Sequence, residues 1–180
     1  MATRATNNEN KKYIQLIIAV LIITAIIFAS FSQAAAEDEQ IQLQPTIRLA
    51  AGFSHSAMVD YDGSLYLWGD NTYGQSSAGS DSYIDQPQLI ELNAKVAEVS
   101  LGAWHTLVLT ENGEVYSSGR NTFGQLGNGS WENSDQLVKI EGLSNIAAIS
   151  AGSYHSLALG QDGSLWVWGS NTNNQLAHAE

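Results

Sequence analysis

VSLGAWHTLVLTENGEVYSSGRNTFGQ, residues Val99 to Gln125, decides the fold. Alone it is two apolar runs joined by Asn112-Gly113 and followed by a glycine-punctuated loop. The same pattern stands fifty residues upstream and fifty residues downstream. Gly52, Gly102 and Gly152 fall in step, and so do His55, His105 and His155. The match extends to Gly63/Gly113/Gly163, Gly69/Gly119/Gly169, Asn71/Asn121/Asn171, Thr72/Thr122/Thr172 and Gln75/Gln125/Gln175. These seven columns agree in all three copies without a gap. A period of this length marks a propeller or a solenoid, where each repeat buries its apolar face only against the next.

Each copy reads as short strands. The first runs Ile47 to Ala51, Val96 to Leu101 and Ile146 to Ala151. A glycine ends it, either for positive φ or for close backbone approach. The second runs His55 to Val59, His105 to Leu109 and His155 to Leu159. Asp62-Gly63, Asn112-Gly113 and Asp162-Gly163 follow as hairpin turns, since Asp and Asn tolerate αL and glycine takes it freely. The third strand runs Leu65 to Trp68, Val115 to Ser118 and Leu165 to Trp168. Segments Leu89–Leu92 and Leu137–Ile140 read as a further strand, and so does Ile41–Leu43 before the first copy. Runs such as Leu65-Tyr66-Leu67-Trp68 have no polar side. A sheet with one wet face alternates, whereas a sheet between two others need not.

The N-terminus is a different object. Arg4, Lys11 and Lys12 precede an apolar run from Ile14 to Phe31, then Ala34-Ala35-Ala36 and the acidic Glu37-Asp38-Glu39. That order describes a secretory signal peptide cleaved after Ala36. The run is also long enough to span a bilayer, so an uncleaved anchor over 14–31 is the alternative, with Lys11 and Lys12 on the cytoplasmic side. Either way the repeats lie outside the cytoplasm, secreted or tethered to a membrane. The domain reading is 1–36 as signal or anchor and 37–180 as repeats, with copies at about 46–95, 96–145 and 146–180. Residues 37–180 hold four basic and 17 acidic residues. Nucleic-acid binding needs phosphate neutralisation by Lys and Arg, so this balance argues against it. The chain has no cysteine and hence no disulfide framework.

Ala151 to Leu176, AGSYHSLALGQDGSLWVWGSNTNNQL, and Leu101 to Gly129 resemble the repeat of the regulator of chromosome condensation family. The resemblance spans Ile41 to Leu176 and implies an all-β chain of propeller blades, each a four-stranded antiparallel sheet. About three blades are expected after an N-terminal apolar helix, the last incomplete, as a partial propeller. The favoured expectation is a part of a longer propeller. Assembly of several chains into a ring and a short open stack are the alternatives. Departures from the pattern are Ser76-Ser77 opposite Leu126-Gly127, Ser117-Ser118 opposite apolar residues, and Asn174 opposite Gly74 and Gly124. The asparagine fits if that position is αL.

The repeated columns Gly52, Gly102, Gly152, His55, His105 and His155 read as structure, because chemistry sites are normally unique and these recur in every copy. The histidines are expected to satisfy backbone groups between strands. No second histidine or carboxylate stands at ligand spacing from them, so no metal site is expected. The Asp-Gly turns lack the alternating oxygen ligands of a calcium loop. Gly74, Gly124, Gly127 and Gly129 are followed by neither Lys-Ser/Thr nor a helix start, so no phosphate cradle is expected. No nucleophile–base pair or paired carboxylate stands out. The prediction is no catalytic residue, no cofactor and no enzyme.

Function is then expected where the copies differ. Tyr73, Tyr83, Phe123 and Trp131 fall in loops or strand entrances, where aromatics anchor partners. Trp104, beside His105, reads instead as packing between blades. The leading reading is an exported interaction module for a protein or cell-surface ligand. Several large bacterial envelope proteins look alike, which points to a bacterial source. The second reading is a protein inhibitor, since a secreted β-lactamase inhibitor belongs to the family and uses aromatic loops on one propeller face. The third is the guanine-nucleotide exchange and chromatin role of the family's founding member. The export segment and the acidic balance weigh against it.

Overall fold

The computed structural model describes residues 47–177. The signal or anchor over 1–36 and the strand expected at Ile41–Leu43 lie outside them. Eleven strands form three antiparallel sheets. Sheet 1 joins β1 (Arg48–Ala51), β2 (His55–Val59), β3 (Leu65–Asp70) and β4 (Tyr83–Ile90) in chain order. Sheet 2 repeats this with β5 (Val96–Leu101), β6 (His105–Thr110), β7 (Val115–Gly119) and β8 (Ser134–Lys139). Sheet 3 has β9 (Ile146–Ala151), β10 (His155–Gly160) and β11 (Leu165–Gly169).

The copies keep one register. His55, His105 and His155 pair with Gly69, Gly119 and Gly169 across the central hairpin of each sheet. The hairpin turn differs from the sequence expectation in one respect. Only its glycine has positive φ, 87° at Gly63, 75° at Gly113 and 85° at Gly163. Asp62 keeps negative φ and its carboxylate accepts the Ser64 N–H at 2.9 Å, and Asp162 does the same for Ser164. The amide of Gly63 donates to the Asp60 carbonyl, so the turn is a type I turn closed by an αL glycine rather than a two-residue turn. Asn174, in the place of Gly74 and Gly124, has φ 58°, as its αL position requires.

The fourth strands begin earlier than expected. β4 starts at Tyr83, opposite Asp70, and the register shifts between Leu67 and Gly69. β8 starts at Ser134, opposite Gly119, with the equivalent shift. Each lies at the edge of its sheet, where Pro87 costs no ladder bond.

Two apolar cores lie between the sheets. Ala57, Val59, Leu65 and Leu67 of sheet 1 meet Val96, Val99, Leu101 and Val108 of sheet 2. Leu107, Leu109 and Val115 from the other face of sheet 2 meet Ile146, Ile149 and Ala158 of sheet 3. Sheet 2 is therefore covered on both sides, and all six residues of β6 are buried. This is why the strands lack a polar face: they are blades stacked on blades. The first strands run side by side, and β9 donates the Ala151 N–H to Ser100 Oγ of β5 at 2.9 Å.

Candidate functional site

Antiparallel order sends the β1–β2 turns and the β3–β4 loops, with their counterparts, to one end of the blades. Both the repeated polar residues and the non-repeating aromatics gather there.

The repeated residues build the floor. His55 Nε2 lies 3.0 Å from Thr106 Oγ1, and His105 Nε2 lies 3.0 Å from Ser156 Oγ. Each hydroxyl donates its single proton back to the previous blade, Thr106 to the Gln75 carbonyl at 2.7 Å and Ser156 to the Gln125 carbonyl at 2.8 Å. The histidines are therefore the donors, neutral and protonated on Nε2. The rings thus tie one blade to the next through side-chain hydroxyls, whereas the sequence had suggested backbone partners. Nδ1 of both rings is buried without a partner. It faces the repeated glycine: a Cβ built on Gly102 would overlap Cε1 and Nδ1 of His105. The glycine is needed for close approach, since its φ is ordinary. Burial lowers His105 from 6.5 to about 3, with the nearby His55 and His155 adding to the effect. Burial also lowers His55 to about 4, against an opposing pull from the Asp70 carboxylate and the His105 backbone.

Asn and Gln columns shape the loop above. Asn71, Asn121 and Asn171 accept through Oδ1 from the amides of Ser76, Leu126 and Leu176. Gln75, Gln125 and Gln175 accept through Oε1 from the amides two residues earlier, at Tyr73, Phe123 and Asn173. The residue after Thr in each loop, Tyr73, Phe123 or Asn173, is thereby turned outward.

On this floor stands a row of aromatic rings crossing all three blades. Phe53 and Trp104 have centroids 5.7 Å apart, Tyr73 and Trp104 6.2 Å, Trp104 and Tyr154 5.5 Å, and Tyr154 and Phe123 5.3 Å. The Arg120 guanidinium sits 5.1 Å from the Tyr73 ring and 5.3 Å from the Trp104 ring, with Nε donating to Thr122 Oγ1 at 3.0 Å. Phe53 and Phe123 are exposed, whereas Tyr73, Trp104, Arg120 and Tyr154 are half-buried. Asp70 lies at the same end. Burial would raise its carboxyl, but hydrogen bonds from Thr72 and Ser54 outweigh this and hold it low.

Of the residues singled out in the sequence, Tyr73 and Phe123 lie within the row. Trp131 is exposed on the β7–β8 loop, its ring laid over Gly124. Tyr83 is exposed at the start of β4 beside Asp70. Trp104 touches rings of the blades on both sides, and Phe53, Tyr154 and Arg120 complete the row. Phe53, Tyr154 and Arg120 were not singled out in the sequence. A looser signal was present: an aromatic stands between the glycine and the histidine in every copy, as GFSH, GAWH and GSYH. Among the described residues, no group of three or more His, Asp or Glu side chains converges to hold a metal.

Stacked blades, two four-stranded and one three-stranded among the described residues, with histidine-linked junctions define a β-propeller repeat protein. The regulator of chromosome condensation (RCC1) repeat matches residues 47–75, 96–125 and 146–175, and in a second register residues 62–109 and 112–159. The chain belongs to this family. Its fold resembles Prp20p from Saccharomyces cerevisiae, studied with its binding to Gsp1p and histones, at 25% identity and TM-score 0.63 over 68% of this chain and 32% of that one. It also resembles human WBSCR16, at 28% identity and TM-score 0.64 over 73% of this chain and 35% of that one. A structure of Kap60 bound to yeast RCC1 (Prp20) matches in fold at 24% identity and TM-score 0.64, over 69% of this chain and 32% of that one. The chain spans about a third of the length of these neighbours.

Proposed function

We propose that this chain is an exported, non-enzymatic interaction module that binds a protein or cell-surface ligand through the aromatic row. The observation that carries this reading is the row itself. Five rings and one stacked guanidinium, none of them from an identical column, share one end of a scaffold whose repeated residues are spent on holding blades and loops. Aromatic and arginine side chains on rigid loops are the usual anchors of protein interfaces. Tyr83 and Trp131 extend the exposed aromatic surface toward the outer strands. Export rests on the order of Lys11-Lys12, the apolar run 14–31 and Ala34-Ala35-Ala36.

Two measurements test the two parts. An array of secreted and cell-surface proteins is probed with the wild type and with a Phe53→Ser/Phe123→Ser variant, both changes being at exposed positions. Binding that the variant loses supports the reading, and equal binding by both removes the row as the site. N-terminal sequencing of the mature protein is expected to begin at Glu37. A chain that keeps Met1 in the membrane fraction would instead be anchored.

The aromatic loops on one face also favour a second reading, an inhibitor akin to the family's secreted β-lactamase inhibitor. Undiminished activity of class A β-lactamases incubated with the protein would remove it. A guanine-nucleotide exchange role ranks third, and accelerated nucleotide release from a small GTPase would be its signature.

A further inference from the structure

The chain has two Asn-Gly pairs, Asn112-Gly113 in the turn between β6 and β7 and Asn128-Gly129 in the loop between β7 and β8. An asparagine side-chain amide can be attacked by the backbone nitrogen of the next residue, and a glycine there has no Cβ to hinder the five-membered ring that forms. The two pairs are held differently. The Gly113 amide donates to the Thr110 carbonyl at 2.9 Å, and the Gly113 carbonyl accepts the Ile146 amide at 3.1 Å. Gly113 is buried, with the Asn145 Cα 3.1 Å from where its Cβ would stand. Its nitrogen cannot turn toward Asn112 without opening the hairpin turn. Gly63 and Gly163 close their turns with the same amide bond, so this restraint belongs to the repeat.

Gly129 has none of these restraints. It is exposed, with φ 74°, a Cβ built on it would meet nothing within 4 Å, and among the described residues its N–H has no acceptor. The Asn128 side chain is folded over it. Its Oδ1 accepts the Ser130 amide at 3.1 Å and Asn121 Nδ2 at 3.2 Å. Two donors on Oδ1 draw electrons from Cγ, and they are already in place for the negative charge that the oxygen gains under attack. Asn121 is itself fixed, being buried and bonded to the Leu126 amide and the Ser130 carbonyl. The openness of Gly129 does not come from a missing neighbour. Its counterpart in blade 1, Gly79, has φ 87°, nothing within 4 Å and no acceptor for its N–H, although a complete four-stranded blade follows it. There the preceding residue is Ala78, which has no amide to lose.

We propose that Asn128 is a self-modifying site, where the folded loop promotes deamidation through a cyclic imide while the turn at Asn112 suppresses it. Base removes the Gly129 N–H proton, and the nitrogen pair forms a bond to Asn128 Cγ. The C=O π pair moves onto Oδ1, held by the Ser130 and Asn121 N–H groups. When that oxyanion collapses, the Cγ–Nδ2 bond breaks and Nδ2 takes a proton and leaves as ammonia. Water then opens the imide. Attack at Cγ breaks its bond to the Gly129 nitrogen and gives aspartate. Attack at the backbone carbonyl gives isoaspartate, with the main chain running through Cβ and Cγ. One water is consumed and one ammonia released, with no oxidant or reductant. Either product adds a negative charge to the loop that presents Trp131, and isoaspartate also lengthens its backbone.

The test uses the full 180-residue chain in a nonionic detergent, because of the apolar run 14–31, held at mildly alkaline pH with and without denaturing urea. Peptide mapping by mass spectrometry follows the one-dalton gain at each asparagine. In urea the two Asn-Gly pairs are expected to convert at similar rates. In the native chain Asn112 is expected to convert about tenfold more slowly than in urea, the factor set by a hydrogen bond of about 1.4 kcal/mol that must first open. Native Asn128 is expected to convert at least as fast as in urea. Two variants copy residues that the other copies already carry, so the blades are retained. Asn128→Ala, copying Ala78, is expected to remove the native gain, and Asn112→Asp, copying Asp62 and Asp162, to leave it unchanged. Native Asn128 that stays unconverted, or converts more slowly than in urea, overturns the proposal. So does native Asn112 that converts as fast as Asn128.

Discussion

Mild acid should loosen the blade junctions well before it touches the carboxylates. His55 and His105 have folded-state values of about 4 and about 3, against 6.5 for a free imidazole, chiefly because burial disfavours the charged ring. Between pH 6.5 and those values the unfolded chain takes up protons that the native rings refuse. The unfolded state then binds more protons, so stability falls as the pH falls, by about 1.36 kcal/mol per pH unit for each ring. From pH 6.5 to pH 5 that is roughly 2 kcal/mol per histidine and about 4 kcal/mol for the pair. A loss of that size is a large share of the 5–15 kcal/mol typical of a domain, and lowers the thermal midpoint by roughly 10–15 °C. The depressed carboxyls of Asp62, Asp70, Glu114 and Asp162 act elsewhere. Their stabilisation is present above the ordinary carboxyl range and is lost only as the pH falls below it, so pH 5 to 6.5 reports the imidazoles.

The assay is urea unfolding followed by tryptophan fluorescence at pH 7 and pH 5, on the wild type and on His105→Gln. The glutamine amide keeps a donor for Ser156 Oγ but does not titrate. The variant is therefore expected to lose only about half of what the wild type loses on acidification, about 2 kcal/mol. Equal stability of the wild type at both pH values would refute the burial argument. An undiminished drop in His105→Gln would show that the protons go elsewhere.

Two further changes probe the scaffold and the row. Gly102→Ala places a methyl where the His105 ring packs and should cost about 1–3 kcal/mol in the same urea assay, and an unchanged midpoint would mean the ring is not held against the glycine. Trp104→Ser with Arg120→Asp copies into blade 2 the Ser54–Asp70 pair of blade 1. The double variant should keep the strand circular dichroism and cost less than the summed single changes, by about 0.5–1 kcal/mol of coupling from the stacked cation; strict additivity would show that Trp104 and Arg120 do not act together.

The repeat period made the sheets legible, because glycine, histidine and turn columns recur at a fixed spacing that only stacked units produce. Interior packing followed from strands without a polar side, as β6 shows with its six buried residues. What the sequence hid was the step between blades. Thr106 donates to Gln75 and Ser156 to Gln125, each across 31 positions. Tyr73 meets Trp104 and Phe123 meets Tyr154 across the same interval. That offset comes from the β3–β4 loop of one blade leaning over the β1–β2 turn of the next, and no column comparison contains it. Trp104 therefore read as a packing residue beside a histidine, and Arg120 was not singled out. The early starts of β4 and β8 were hidden too, since Tyr83 to Gln88 is polar, exposed edge with little apolar pattern.

The scaffold also explains how one blade can carry function that another lacks. The amides of Asp70, Arg120 and Ser170 donate to the carbonyls of Ser54, Trp104 and Tyr154 at 2.9, 2.8 and 2.8 Å. The backbone is thus the same three times, and only the paired side chains change. In blade 1 Ser54 donates to the Asp70 carboxylate, and in blade 2 Trp104 lies under the Arg120 guanidinium. Because these two columns are fixed by main-chain bonds, their side chains are released from any duty to the fold. A small polar pair, a stacked cation or a lone ring can occupy them at little cost to the blade. The same repeat that makes histidine and glycine unavoidable leaves this pair of positions open, and Trp104, Tyr154 and Arg120 of the aromatic row stand on them.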